Sequence, residues 1–175
     1  LGVAAHIAGK RARQGMALAA LGFLLACDRH SEAEAKALAS QWFELGETLY
    51  FNSQRGCTAA VYRARTGEVK SRVPLFSSVG AVFASAAQDR AFALSVPDTS
   101  ADALFLEIMN ADRPTGVAVQ AIGVGGKPCM NDEARAAFYA ALTAAPSVMV
   151  FSRADGAFAV LDPVRRTVVL TSGDV

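Results

Sequence analysis

The chain has 175 residues, is 53% hydrophobic and 19% charged, and carries a formal net charge of +1. That composition excludes a disordered or fibrous chain and fits one globular domain with a sizeable core. Lys10, Arg11 and Arg13 are the bases of the first 27 residues, which hold no acid, so the remainder sets 16 acids against 14 bases. A domain with that balance lacks the basic excess of a nucleic-acid binder.

The first 26 residues read as a secretory signal. Lys10-Arg11-Ala12-Arg13 is the basic region, and Gly15 to Ala26 is an apolar run of twelve residues. As a helix the run would reach about 18 Å, short of the roughly 30 Å hydrocarbon core, so it suits a cleaved signal better than a spanning helix. Leu24-Leu25-Ala26-Cys27 then resembles the lipobox of bacterial lipoproteins. The resemblance covers this segment alone. It implies cleavage before Cys27, acylation of the Cys27 thiol and a membrane partner, and Asp28 directly after the cysteine implies retention at the inner membrane. Residues 27–30 would form a short tether, leaving 31–175 as a single periplasmic domain.

The cysteine count bears on the same question. Three cysteines are odd for a secreted chain. With Cys27 lipidated, Cys57 and Cys129 remain, and an oxidising compartment would let them pair. Two separate buried thiols are the alternative.

Ser31-Glu32-Ala33-Glu34 has the form of a capping box. The helix it opens carries Leu38, Trp42, Leu45 and Leu49 as an apolar stripe, with Gly46 a point where it can end early. Strands follow, with turns expected at Arg55-Gly56 and Thr66-Gly67. A hairpin at Thr66-Gly67 would set Arg63, Arg65, Lys70 and Arg72 on one face and Tyr62, Ala64, Val69 and Val73 toward the core. That basic face is either solvated surface or a seat for an anionic partner, lipid phosphate or acidic protein.

Pro74 to Ala87 reads as a helix with Leu75, Val79, Val82 and Phe83 inward, and "RAFALSV" as a strand. Thr99-Ser100-Ala101-Asp102 starts a helix containing Leu104, Leu106, Ile108 and Met109. Pro114 begins another helical segment, ending at Gly123. Asn131 caps a helix carrying Phe138, Tyr139 and Leu142, closed by Pro146. "SVMVFSR", "AFAVLD" and "RTVVLTS" form a meander with turns at Ala154-Asp155-Gly156 and Pro163. The expected class is α+β: a mostly antiparallel sheet with a C-terminal β-meander and several packed helices.

Chemistry is hard to place. The two histidines, His6 and His30, fall in the signal and the tether, so no catalytic residue is assigned and the domain lacks the base of Ser-His or Cys-His schemes. No metal site or cofactor is expected: imidazole is missing, and no acidic cluster has calcium-loop spacing. Lys36, Lys70 and Lys127 show no Ser-x-x-Lys spacing. "GVGGKPC" departs from a phosphate-binding loop, with Ala121 in place of its first glycine and Pro128 in place of its hydroxyl residue. Asp132-Glu133 suits a helix start, and Glu44 and Glu47 lie on the expected first helix. Glu107, within an apolar segment, is the acid to watch for burial.

Three functions fit. The leading one is a membrane-tethered envelope lipoprotein acting as a binding or accessory subunit beside an envelope or membrane protein. A small anionic or lipidic ligand module would need an apolar cavity beside Arg63 and Arg72. A histidine-independent hydrolase would need a polar cleft.

Overall fold

The computed structural model describes residues 30–173. The signal expected at 1–26, Cys27 and the rest of the expected tether up to residue 29 lie outside them.

The capping box forms. The Ser31 amide and hydroxyl donate to Glu34 Oε2 at 2.7 and 2.8 Å, and the Glu34 amide donates back to Ser31 Oγ at 3.2 Å. These bonds, the backbone one first, hold the Glu34 carboxyl below its ordinary value. The helix, α1 (Glu32–Trp42), is shorter than the apolar stripe suggested: strand β1 (Phe43–Gln54) follows with no loop between. The four-three-four spacing of Leu38, Trp42, Leu45 and Leu49 does not show which side of Trp42 is helical. Backbone pairing decides, because Phe43 lies opposite Val69 of strand β2 (Cys57–Val69). Three register shifts between Phe43 and Tyr50 bend β1, a feature that blunts an edge strand against further pairing.

Arg55 and Gly56 make the expected turn, but Thr66-Gly67 does not, and β2 runs straight through it. The β1–β2 register shifts across this stretch, from Leu45 opposite Ala64 to Phe43 opposite Val69. Gly67 answers to a different demand, since a Cβ at that position would lie 3.2 Å from Pro163 Cβ. The chain turns later, at Ser71-Arg72, and then forms β3 (Leu75–Phe76). Leu75 is therefore an exposed edge residue, not the inward face of a helix. Pro74 O and Phe76 O accept from Ala93 and Ser95 of the neighbouring segment, and Pro74, with no N–H, suits a sheet edge. The helix that follows, α2, is only Val79–Ala86.

The remaining elements follow expectation closely: β4 (Phe92–Leu94), α3 (Ala101–Ala111), α4 (Arg113–Gly125), α5 (Asp132–Thr143), β5 (Val148–Ser152), β6 (Ala157–Asp162) and β7 (Thr167–Gly173). The sheet order is β1-β2-β7-β6-β5-β4-β3, antiparallel except for β3 beside β4. The fold is α+β with a C-terminal meander.

The four helices α2 to α5 cover one face of the sheet, packing Val82, Leu104, Ile108, Ile122 and Phe138 against Met149, Phe151, Phe158, Val160 and Val169. The other face receives α1, whose Ala35, Ala39 and Trp42 meet Ala60, Tyr62, Ala159, Leu161 and Leu170. Being covered on both faces, β5 and β6 are buried along their whole length. That explains their continuous apolar runs.

Cys57 and Cys129 form a disulfide, 72 residues apart in sequence. It ties the start of β2 to the single 3₁₀ turn Lys127–Cys129 between α4 and α5. Tyr50 Oη and Asn52 Nδ2 also donate to the Cys129 carbonyl, at 2.6 and 3.1 Å.

Two stability predictions follow from the core. Closing a loop of this length removes about 4 kcal/mol of denatured-state entropy, so reduction, or Cys57→Ala with Cys129→Ala, should lower the unfolding free energy by about that much in urea titrations. Tyr62 is fully buried, and its hydroxyl has no hydrogen-bond partner among the described residues. Burial, and secondly the Glu32 charge, push that hydroxyl above its ordinary pKa. With the folded value above the unfolded one, the Tyr62 contribution to stability is complete below about pH 10 and is lost as pH rises beyond it. Tyr62→Phe should raise stability by about 1 kcal/mol at neutral pH and make the alkaline decline shallower, read by urea unfolding from pH 7 to 11.

Candidate functional site

The helix layer holds an apolar crevice. α3 and α4 cross tightly at Gly116, where a Cβ would stand 2.6 Å from Met109 Cα, closer than real atoms approach. One to two turns along α4 the packing leaves space, because Gly123 contributes no side chain over the Phe158 ring. The opening holds about 110 Å³ between Phe105 of α3, Val119 and Gly123 of α4, and Phe138 and Leu142 of α5, with Phe158 of β6 as its floor. Asp102 and Gln120 stand among its lining residues. The Asp102 carboxylate accepts from the Ser100 hydroxyl at 2.5 Å.

Apolar groups continue beyond the mouth. Val124, itself part of the lining, and Val117 are exposed on the Gln120 face of α4, and Leu106 is 59% exposed on α3. Size decides what the crevice can take. Ligand pockets run to roughly 300–1,000 Å³, and a cavity of about 150 Å³ takes benzene. The crevice suits one large apolar side chain.

A larger cleft of about 560 Å³ opens between the end of α2, the α3–α4 junction and the β5–β6 turn. It has two carboxylates, each already engaged. Asp89 pairs with Arg153 at 3.6 Å, and Asp112 accepts from the Thr115 hydroxyl at 2.5 Å. Nothing in that arrangement frees one acid as a donor and the other as a base. Glu107 is exposed. Among the described residues, no group of three or more His, Cys, Asp or Glu could hold a metal.

The basic face is rearranged. Arg63 and Arg65 share one side of β2, but Lys70 and Arg72 lie beyond its end, since the hairpin that would have brought them alongside does not form. Glu44 and Glu47, expected on a helix, sit on β1 and meet the bases instead. Lys70 Nζ lies 3.1 Å from Glu44 and donates to Ser40 O at 2.8 Å, while Arg63 Nε lies 3.7 Å from Glu47. Neither Arg63 nor Arg72 lines the crevice, so it is not the cavity that a small-ligand module would need beside them. Arg65 has a different neighbour, Arg166, whose Nη1 donates to the Arg65 carbonyl at 2.7 Å. Arg166 is a residue that spacing along β2 could not have suggested.

His30 also departs from expectation. It is docked on the domain, with Nδ1 3.3 Å from Thr58 Oγ1 and 3.4 Å from Ser172 Oγ, and Ser53 Oγ lies 2.9 Å from Thr58 Oγ1. These contacts hold the chain at His30 against β2 and β7.

Two of the three glycines of α4, Gly116 and Gly123, should respond oppositely to alanine. At Gly116 the new Cβ meets backbone, so Gly116→Ala should cost about 1–3 kcal/mol as α3 and α4 are forced apart. At Gly123 it would lie 3.5 Å from Phe158, an ordinary contact, so Gly123→Ala should gain about 0.5–1 kcal/mol from helix propensity. Thermal and urea unfolding of the pair checks both.

Compared with known protein families, with curated proteins and with solved structures, the chain matches none.

Proposed function

We propose that the protein is a membrane-tethered envelope lipoprotein whose domain serves as a binding or accessory subunit, with another envelope or membrane protein as its partner. The observation that carries the binding role is the crevice over Phe158. It is apolar, open to the surface and of a size for one side chain. Anchor pockets of this kind, each filled by a single buried residue of the partner, dominate protein–protein binding energy. The exposed Val117, Val124 and Leu106 extend the apolar surface around it.

Two features support the envelope. The Leu24-Leu25-Ala26-Cys27 segment resembles a lipobox, and disulfides such as Cys57–Cys129 belong to oxidising compartments. Acylation of Cys27 with two or more chains would make the anchoring stable, where one chain binds only marginally. The Asp28 beside it favours the inner membrane.

The test has two arms. The full chain, expressed in a bacterium with a lipoprotein pathway, should give an intact mass beginning at Cys27, increased by acyl groups and lighter by the two hydrogens of the disulfide. An uncleaved mass overturns the tether. For the crevice, a photo-crosslinker at Gln120 should capture one envelope protein, and Gly123→Leu, which fills the space with the partner's site left untouched, should abolish that capture. Undiminished capture with the crevice filled overturns the binding site.

A further inference from the structure

The opposite end of the sheet from His30 displays a preformed turn. Asp162, at the end of β6, is 1% exposed. Its Oδ1 accepts from the amides of Val164 and Arg165 at 3.0 and 2.9 Å, and its Oδ2 from Arg165 Nη1 at 2.7 Å. The turn is fixed to β2 as well: Ala64 N donates to Arg166 O at 2.8 Å, Arg166 Nη1 donates to Arg65 O, and Pro163 lies against Gly67. At its apex Val164 is 79% exposed. Among the described residues Arg65 and Arg166 have no carboxylate partner, whereas Arg63 faces Glu47 and Arg165 is bound to Asp162.

We infer that Val164, Arg166 and Arg65 form a docking surface for an acidic segment of a partner protein. Arginine forks take carboxylates with defined geometry. A backbone already held in its bound shape avoids the entropy loss of ordering a loop on association. Arg166 has φ +51, a left-handed conformation that glycine adopts freely and most other residues do not. Its guanidinium ties the turn to β2 through Arg65 O, and its other N–H groups have no carboxylate partner among the described residues.

The anionic occupant is a protein and not the bilayer, a step that rests on the tether proposed above. Thr58, which holds His30, is seven residues from Arg65 along β2, about 23 Å. Ser172, its other partner, is six residues from Arg166 along β7, about 20 Å. Cys27 is three residues from His30 and can lie at most about 11 Å from it. An acylated Cys27 therefore places the membrane at the His30 end, with the arginines directed away.

The probe is a fluorescein-labelled peptide of alternating glutamate and leucine, titrated by anisotropy into the acylated full chain in phosphatidylcholine vesicles. Arg65→Glu and Arg166→Glu should each weaken binding about tenfold, and Arg55→Glu, in the turn at the His30 end, should leave it unchanged. Arg166→Gly, which suits the left-handed backbone but gives up the bond to Arg65 O, should lose affinity while remaining fully folded by urea titration under the assay conditions, so the loss belongs to the guanidinium and not to unfolding. Unchanged affinity in these variants, or an equal loss in Arg55→Glu, overturns the inference. So does a result in which Arg65→Glu and Arg166→Glu spare the peptide but abolish flotation of the Cys27→Ser chain with vesicles of roughly 30% phosphatidylglycerol, which would make lipid the occupant. The Cys27→Ser chain should bind the peptide as the wild type does, so failure of the tether and failure of the arginine surface read out separately.

Discussion

Strand β2 is the member on which the rest of this structure depends. From Cys57 to Arg63 it is hydrogen-bonded on both edges, to β1 and to β7, and beyond Arg63 it continues against β1 to Val69. A strand paired on both sides cannot turn without giving up buried backbone hydrogen bonds, which holds β2 from Cys57 to Arg63; its far end is then secured by Phe43 opposite Val69, so the chain runs on past Thr66-Gly67 through an irregular stretch. That one constraint separates two ends of the molecule. Cys57 and Thr58 carry the disulfide and the His30 latch at one end; Arg63 and Arg65 meet the β6–β7 turn at the other.

The helix layer is governed by contact distance instead. Gly116 lets α3 and α4 approach to backbone contact, and the helices behind it cannot close fully over Phe158. The space that results is small, dry in its chemistry and open. Its volume separates the candidate functions better than its composition does, because an apolar lining serves a ligand pocket and a protein anchor equally well. The acids of the larger cleft show the complementary point: Asp89 and Asp112 are present, but their partners leave no donor and acceptor poised against each other.

Much of the architecture was legible along the chain. The capping box at Ser31, the Asn131 cap, the meander and the pairing of Cys57 with Cys129 depend on near neighbours or on counting, and each is present. The failures share a cause. Leu45 and Leu49 continue a helical spacing across Trp42, Pro74 and Leu75 resemble a helix start, and Thr66-Gly67 resembles a hairpin turn. In each case pairing with distant backbone prevailed over the local pattern: Phe43 with Val69 on either flank of the first and third, and Pro74 and Phe76 with Ala93 and Ser95 in the second. The basic face failed with the turn it was built on, and Arg166 joined Arg65 from 101 residues away.

By itself, then, the sequence determined the class of fold, the order of most elements and the lipobox resemblance, which are properties of local periodicity, capping chemistry or residue pattern, and it offered Cys57 with Cys129 as a pair that the structure then showed bonded. Tertiary structure alone decided where α1 stops, which charges meet, that His30 docks between β2 and β7, and that a glycine over Phe158 opens a crevice. Those outcomes turn on contacts between segments far apart in the chain, where a few tenths of an ångström at Gly67 or Gly116 matter more than any propensity the residues carry alone.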